Sequence, residues 1–257
     1  MENEKDRRMT IMLVPFMSCS ARLPVYGLLT AAFFPQYGGL VVFSLYLLGL
    51  IFAIGSGILL KKLVFQGEPA AFVLELPPYR RPQIGKVIAR SVLDRTLFVL
   101  GRAVAVAAPA GLLIWLCANV TVGGVSILNH CTGFLDPFAR LLGLDGVILM
   151  AFILGFPANE IVVPIIIMSY LSTGTLLELD DLGALHALLV EHGWTWLTAV
   201  CTMLFSLMHW PCSTTCLTIR KETQSWKWTA VSFLVPTVIG MIVCFLVAGV
   251  ARLLGLA

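Results

Sequence analysis

The chain has 257 residues, 59% of them hydrophobic and 12% charged, with a mean hydropathy of +0.94 and a formal net charge of +3. Soluble domains carry roughly 25% charged residues, so this sequence cannot furnish a water-facing shell, and a soluble enzyme or nucleic-acid binder is excluded. The 17 Lys and Arg gather in short clusters between apolar blocks, a pattern of membrane orientation rather than of nucleic-acid binding.

A hydrocarbon core of about 30 Å needs about 20 apolar residues per helix, and about five or six segments meet or approach that length. The first, residues 9–34, is interrupted by Pro15, Pro24 and the polar cluster 18–22. Its basic start, Lys5, Arg7 and Arg8, imitates an export signal. The run to Met17 is short, contains Pro15 and is followed by further spans, so a cleaved leader or lipoprotein anchor is rejected. Residues 38–60 form an uncharged span that stops at Lys61 and Lys62.

Residues 61–95 change character: Pro69, Pro77, Pro78 and Pro82 break any long helix, while Arg80, Arg81, Lys86, Arg90 and Arg95 accumulate. The positive-inside rule makes this loop cytoplasmic. Residues 83–100 predict an amphipathic helix at the interface, leading into a third span at 97–117 with Arg102 near enough to its end to snorkel. Residues 119–145, rich in Gly, Asn and Asp, read as a loop on the far side. The fourth block, 146–170, is broken at 155–160 and again at Pro164, and an acidic loop with Glu178, Asp180, Asp181 and Glu191 follows. Residues 194–208 are slightly short for a span and end in His209-Trp210-Pro211-Cys212; after the basic stretch 220–227 the last span runs over 229–250. If the fourth block crosses fully, the basic stretch faces outward against the charge rule; if it is a re-entrant hairpin of two half-helices, the charges fall correctly.

The fold class is therefore all-α: a polytopic helical membrane protein with broken or re-entrant helices, divided into a membrane segment at 1–62, a cytoplasmic loop with an amphipathic helix at 63–96, and a second membrane region at 97–257. The seven cysteines, an odd number lying mostly within apolar stretches, read as free thiols. Cys117, Cys201 and Cys244 sit in ordinary apolar helix and read as packing. His130, His186 and His192 read as incidental or solvated. No phosphate loop, dinucleotide fingerprint or zinc-protease motif occurs, and nothing resembles a nucleophile elbow, so catalysis by this chain is not expected.

Irregular backbone at membrane depth is tolerated only where protein or a water-filled cavity satisfies its amides and carbonyls. Three breaks stand out, at 17–26, 155–164 and 209–218. The first holds Ser18, Cys19, Arg22 and Pro24, the second Pro157, Asn159 and Glu160, the third His209, Pro211, Cys212 and Cys216. A buried Arg or Glu costs at least about 2.5 kcal/mol and lines a path or pairs internally; Arg22 and Glu160 are candidates for such a pair, which would serve equally to join helix ends. A helix starting at Pro211 would put the sulfurs of Cys212 and Cys216 on one face. Thiolate, imidazole and carboxylate together suit a borderline divalent transition metal, although cysteine at this spacing in an apolar helix is more often a small hydrophobe.

These segments carry a family resemblance. TIMLVPFMSCSARLPVY at 10–26 resembles a signature of the ferrous iron transport protein B (FeoB) family, and VFSLYLLG at 42–49 and ELPPYR at 75–80 follow in that family's order. GFPANEIVV at 155–163 is similar to its second gate motif, and HWPCSTTC at 209–216 with RKET at 220–223 to the downstream partner. The resemblance implies an Fe(II) transporter of the bacterial inner membrane, with 97–257 as the second gate region. Cys19, Cys212 and Glu160 match the family's gate cysteines and glutamate. With Cys216 and His209 they are the candidate ligands of transported Fe(II), and Ser18, Arg22, Pro24, Pro157, Asn159 and Pro211 line the gate. Asn159 stands where many members have Lys, so no role of that Lys carries over.

The family's GTPase domain and first gate have no counterpart in this sequence, and ENEKDR at 2–7 resembles the family's interior. The chain is expected to be a C-terminal portion of a longer protein, a split gene product or an excised piece. Expected partners are the bilayer, Fe(II), the upstream GTPase and first-gate region, small FeoA- or FeoC-like proteins and further copies in a homo-oligomer; no resident cofactor is expected, and GTP acts only through the missing domain. The alternatives are a fragment that moves nothing without a first-gate partner, and a nucleoside-permease-like gate protein.

Overall fold

Pro15 and Pro24 decide how the chain begins. In the computed structural model, which describes residues 4–63, 83–176 and 181–255, with the side chains of 5, 6, 94, 95, 98, 99, 102, 103, 106 and 107 left aside, α1 (Glu4–Leu13) gives way to a 3-10 turn, Val14–Phe16, that starts on Pro15. Met17 and Cys19 are extended, a second 3-10 turn covers Ser20–Arg22, and α2 (Leu23–Phe33) opens with Pro24 in its first turn, where a missing N–H costs nothing. The first apolar run is thus two helices joined by irregular backbone. Helix α3 (Gly38–Leu63) is continuous and ends on Lys61 and Lys62, whose charges complement the negative end of its dipole.

The proline-rich stretch 64–82, with ELPPYR, lies outside the described residues. Helix α4 (Ile84–Arg90) buries none of its side chains and passes through a π-helical turn, Ser91–Leu97, into α5 (Phe98–Asn119). The expected snorkelling of Arg102 falls on a side chain outside the description.

Residues 119–145 are not a loop. Strands β1 (Thr121–Val122) and β2 (Val125–Ser126) pair antiparallel across Gly123 and Gly124, whose φ values of 65° and 83° fit a tight hairpin turn. Helix α6 (Ile127–Leu141) follows at once, because the Ser126 hydroxyl accepts the Asn129 N–H at 3.2 Å. Leu128, Thr132 and Ala139 make its buried face; Asp136, half-buried beside them, accepts the Gly146 N–H at 3.1 Å and pairs with the exposed Arg140. Asn129, His130 and Gly133, which suggest a loop, are its solvated side.

Helices α7 (Gly146–Leu154) and α8 (Val162–Leu171) form an antiparallel hairpin whose tip is residues 155–161. At its mouth the Tyr170 hydroxyl, near the end of α8, donates to the carboxylate of Asp145, which also caps α7 by accepting the Ile148 N–H at 2.6 Å. At 1.5 Å per residue each arm reaches only about half of a 30 Å hydrocarbon core, so neither arm crosses one by itself, and the block has the shape of a hairpin of two half-helices. The second break expected at Pro164 does not occur; this proline sits in the first turn of α8, where helices accept it.

Residues 177–180, with Glu178 and Asp180, lie outside the described residues. The rest of the expected acidic loop is α9 (Leu182–Glu191), capped by Asp181. Helix α10 (Trp196–Met208) follows, then a break, α11 (Ser213–Thr223) and α12 (Trp226–Leu253). Helix α10 is the centre of the molecule: it packs against α12, α2 and α3, and every residue from Cys201 to Met208 is buried. Among the described residues three helical runs are long and apolar enough to cross a membrane, Arg7–Phe33, Gly38–Lys62 and Trp226–Leu253, and two bent pairs pass the same test together.

Two contacts pin the hairpin. Gly146 lies against α6 so closely that a Cβ would stand 2.1 Å from the Thr132 carbonyl oxygen, a backbone atom that cannot step aside. Gly146→Ala is expected to cost about 1–3 kcal/mol through overpacking, seen as a lower unfolding temperature in detergent. Tyr170 also accepts the Trp194 Nε1–H at 2.7 Å, so Tyr170→Phe orphans two buried groups and is expected to cost about 1–3 kcal/mol in the same assay.

Candidate functional site at the meeting of three helix breaks

Helix α10 ends because of Pro211. The carbonyl of Leu207 would take the N–H of residue 211, and proline has none; the residue before a proline is also driven toward extended backbone. His209 is extended (φ −71°, ψ 176°), Cys212 likewise (φ −62°, ψ 161°), and α11 restarts at Ser213 with Cys212 as its cap position rather than at Pro211. Carbonyl oxygens at the negative end of α10 are left facing inward without helical partners.

Arg22 supplies them. Its NH1 donates to Leu207 O at 2.8 Å and to Pro15 O at 3.2 Å, and its NH2 to His209 O at 3.4 Å. One guanidinium thus joins the first break to the third. Ser213 joins the third to the second: its N–H donates to Phe156 O at 2.9 Å and its hydroxyl to Pro157 O at 3.4 Å. His209, wholly buried, donates from Nδ1 to Ser206 O at 2.8 Å; Nε2, a lone pair in the neutral ring, lies 3.3 Å from the Asn159 carboxamide and accepts from it when that amide turns its NH2 to the ring. The 3-10 turns Ser20–Arg22 and Asn159–Ile161 lie against one another, closing the triangle. Phe152 and Phe205 pack on the His209 ring with centroids 4.9 and 6.0 Å away.

The structure brings Arg22, Asn159, His209, Pro157 and Pro211 together at this junction. Ser18 is half-buried, with its hydroxyl turned to that of Tyr26. Cys19 is exposed, as is Pro24. Cys212 and Cys216 are half-buried at the start of α11: the Cys212 sulfur lies 3.3 Å from Thr214 Oγ1 and 3.2 Å from Thr215 Oγ1, and the Cys216 thiol donates to Pro211 O at 3.5 Å. The expected ion pair of Arg22 with Glu160 is not formed. Glu160 is exposed, and the guanidinium, 2% exposed, spends its donors on carbonyls. Nor are Cys19, Cys212, Cys216, Glu160 and His209 gathered into one chelate: among the described residues no three His, Cys, Asp or Glu side chains stand close enough to share a metal ion.

Sequence reasoning missed Tyr26 and Ser206, both buried beside Arg22, and the main-chain oxygens that Arg22 caps. The latter had a signal: a proline four residues after Leu207 guarantees an orphaned carbonyl. His192 and His186, read as solvated, are exposed; His192 stacks on Tyr170 and His186 lies tilted against Phe33, with centroids 4.2 and 5.1 Å apart. An apolar cavity of about 510 Å³ borders the junction through Phe156 and Trp210; its one hydroxyl, Thr237, is already bonded to Phe233 O at 2.6 Å.

Fold and junction define a polytopic helical membrane protein built on discontinuous helices. Residues 42–95 match the family model of the ferrous iron transport protein B C terminus, and residues 100–226 match a gate model described as nucleoside recognition. The Fe(2+) transporter FeoB of Staphylococcus aureus (strain MSSA476) is 35% identical over 255 residues, which cover 95% of this chain and 36% of that protein. That of Methanocaldococcus jannaschii is 29% identical, over 98% of this chain and 38% of its own length. A Porphyromonas gingivalis protein named as a fusion of Fe(2+) transport protein A and Fe(2+) transporter FeoB is 28% identical, over 96% of this chain and 34% of its own length. No solved structure matches the chain. The chain belongs to the FeoB family, in its C-terminal membrane region, and it spans little more than a third of the curated relatives it matches most strongly.

Asn159→Leu removes the partner of the buried His209 Nε2, and is expected to lower stability by about 1–3 kcal/mol without preventing membrane insertion, measured by thermal unfolding and by membrane fractionation. A lipid-permeant maleimide is expected to label Cys19 fast and Cys201 and Cys244, both wholly buried, only on unfolding; mass spectrometry of the labelled peptides checks the order.

Proposed function

We propose that this chain forms the membrane part of a ferrous iron uptake transporter, and that Fe(II) crosses where the three helix breaks meet. The observation that carries the reading is the convergence itself: three stretches of irregular, polar backbone are drawn together at the buried end of α10, the arrangement in which transporters expose carbonyl oxygens and helix ends to an ion.

Fe(II) arrives hydrated, and each water lost must be replaced by a protein donor. Cys19, Cys212, Cys216, Glu160 and His209 serve as donors met in turn and not as one chelate. A closed set of sulfur and nitrogen ligands would hold the ion too tightly for release, whereas single donors spaced along a route let it move. The exposed Cys19 receives the ion, and the Nε2 lone pair of His209, turned to an uncharged carboxamide, lies on the inner path. The membrane is the bacterial inner membrane, with residues 63–96 in the cytoplasm. The chain carries out no chemistry of its own. GTP provides the drive through a domain outside this chain, and a small FeoA-like protein is a partner, a pairing in line with the fused Porphyromonas gingivalis relative.

A nucleoside cargo suits the junction less well. The cavity beside it is lined by Leu135, Phe138, Phe156, Trp210 and other apolar groups and offers no free hydroxyl to a base or ribose.

Fe(II) entry into proteoliposomes, measured with an internal chelating dye for the chain alone and with its upstream region, tests the proposal. Uptake with the upstream region is expected, and Cys19→Ser or Cys212→Ser should lower it about tenfold, the lower end of what losing a metal-site group costs. Undiminished flux in both variants would remove the sulfurs from the route, and nucleoside uptake without metal uptake would replace the assignment.

A further inference from the structure

Arg22 is more than a cap. It is 2% exposed, always charged, and among the described residues no carboxylate pairs with it. All its acceptors are main-chain oxygens: Pro15 O, Leu207 O and His209 O. Next to it its own Nε has no hydrogen-bond partner, and three buried hydroxyls, those of Ser18, Tyr26 and Ser206, face one another with no partner outside their own group. A buried cation without a counter-ion is expensive, and so is a buried donor left unpaired. A neutral side chain could close a helix end at lower cost. Convergent carbonyls at the negative end of a half-helix, with hydroxyls beside them, are what a cation site in a membrane requires. Here the cation belongs to the protein.

We propose that Pro15 O, Leu207 O and His209 O, with the hydroxyls of Ser18, Tyr26 and Ser206, form a divalent-cation site that the Arg22 guanidinium fills as a tethered plug. The inference rests on the permease reading and names its gate. When Arg22 withdraws, the oxygens it held are released to the ion; when it returns, it displaces the ion by competing for the same acceptors. Two cations cannot share the pocket, so occupancy by Arg22 and by the metal are exclusive. An all-oxygen site does not distinguish Fe(II) sharply from Mn(II), and selection then falls to the sulfurs of Cys19 and Cys212 on either side.

The test uses the whole chain, with Mn(II) as an air-stable probe. In detergent, Arg22→Gln should bind Mn(II), seen as loss of the free-ion electron paramagnetic resonance signal, where the wild type does not. In proteoliposomes without nucleotide it should pass Mn(II) about tenfold faster, the factor carried by one charged hydrogen bond, and millimolar methylguanidinium should close the leak. Arg22→Lys keeps the charge but lacks the planar fork, so it should leak at an intermediate rate; it carries the test if Arg22→Gln does not fold. Folded variants that neither bind Mn(II) nor leak would overturn the plug, as would a leak carrying chloride instead of Mn(II), or one that methylguanidinium leaves unchanged. Mn(II) binding by Arg22→Gln, with no Fe(II) uptake by the wild type and its upstream region, would keep the cation site and dismiss the permease.

Discussion

The guanidinium of Arg22 reaches across 185 residues of sequence to a carbonyl in the last turn of α10 that Pro211 leaves free, and the junction of the helix breaks is arranged around that bond. In a bilayer an interrupted helix must find partners for the backbone groups it exposes, since no solvent will provide them. The first apolar run and α10 are both interrupted, and each solves part of the other's problem: the break at 14–22 sends a side chain of donors, and the break at 209–212 sends acceptors. The hairpin of α7 and α8 completes the exchange with the carbonyls of Phe156 and Pro157, which take the N–H and hydroxyl of Ser213.

The anchoring at the other end of the hairpin has a different character. Asp145, Tyr170 and Trp194 form a chain of side-chain hydrogen bonds tying the start of α7, the end of α8 and the corner before α10. At the tip one main-chain bond, Ser213 N–H to Phe156 O at 2.9 Å, is joined by longer side-chain contacts, Ser213 Oγ at 3.4 Å and His209 Nε2 at 3.3 Å from their partners. The mouth is held by bonds between side chains, and the tip by one main-chain bond and looser side-chain contacts. Motion confined to the tip is what a gate needs, since the arms can stay packed against α6 while the polar turns separate.

Much of this was legible in the residues. Prolines 15, 24 and 211 announced the breaks, and the uncharged runs announced α3 and α12. Composition misled at 127–141, where Asn129, His130, Gly133 and Asp136 suggested a loop; the first three are the wet face of a helix and Asp136 bonds the start of α7, while the apolar face, with Leu128 and Ala139, is read only with period 3.6. Pro164 misled in the opposite sense, because a proline in a first turn looks like one that breaks a helix. The partner of Arg22 was misjudged because charge suggests charge, whereas carbonyl oxygens carry no mark in the sequence and are found only by asking which ones a proline orphans. Tyr26 and Ser206 carried no local signal at all, since their place beside Arg22 depends on how α2 and α10 pack.

The central claim is that the breaks at 14–22 and 155–161 touch. Ser20 and Glu160 are exposed residues on the two facing 3-10 turns, so cysteines placed at these positions, in a background carrying serine at position 19, report the contact directly in native membranes. Ready joining by the shortest bifunctional thiol reagents is the predicted result. Joining only by long, flexible reagents, or none at all in a folded protein, would contradict the account.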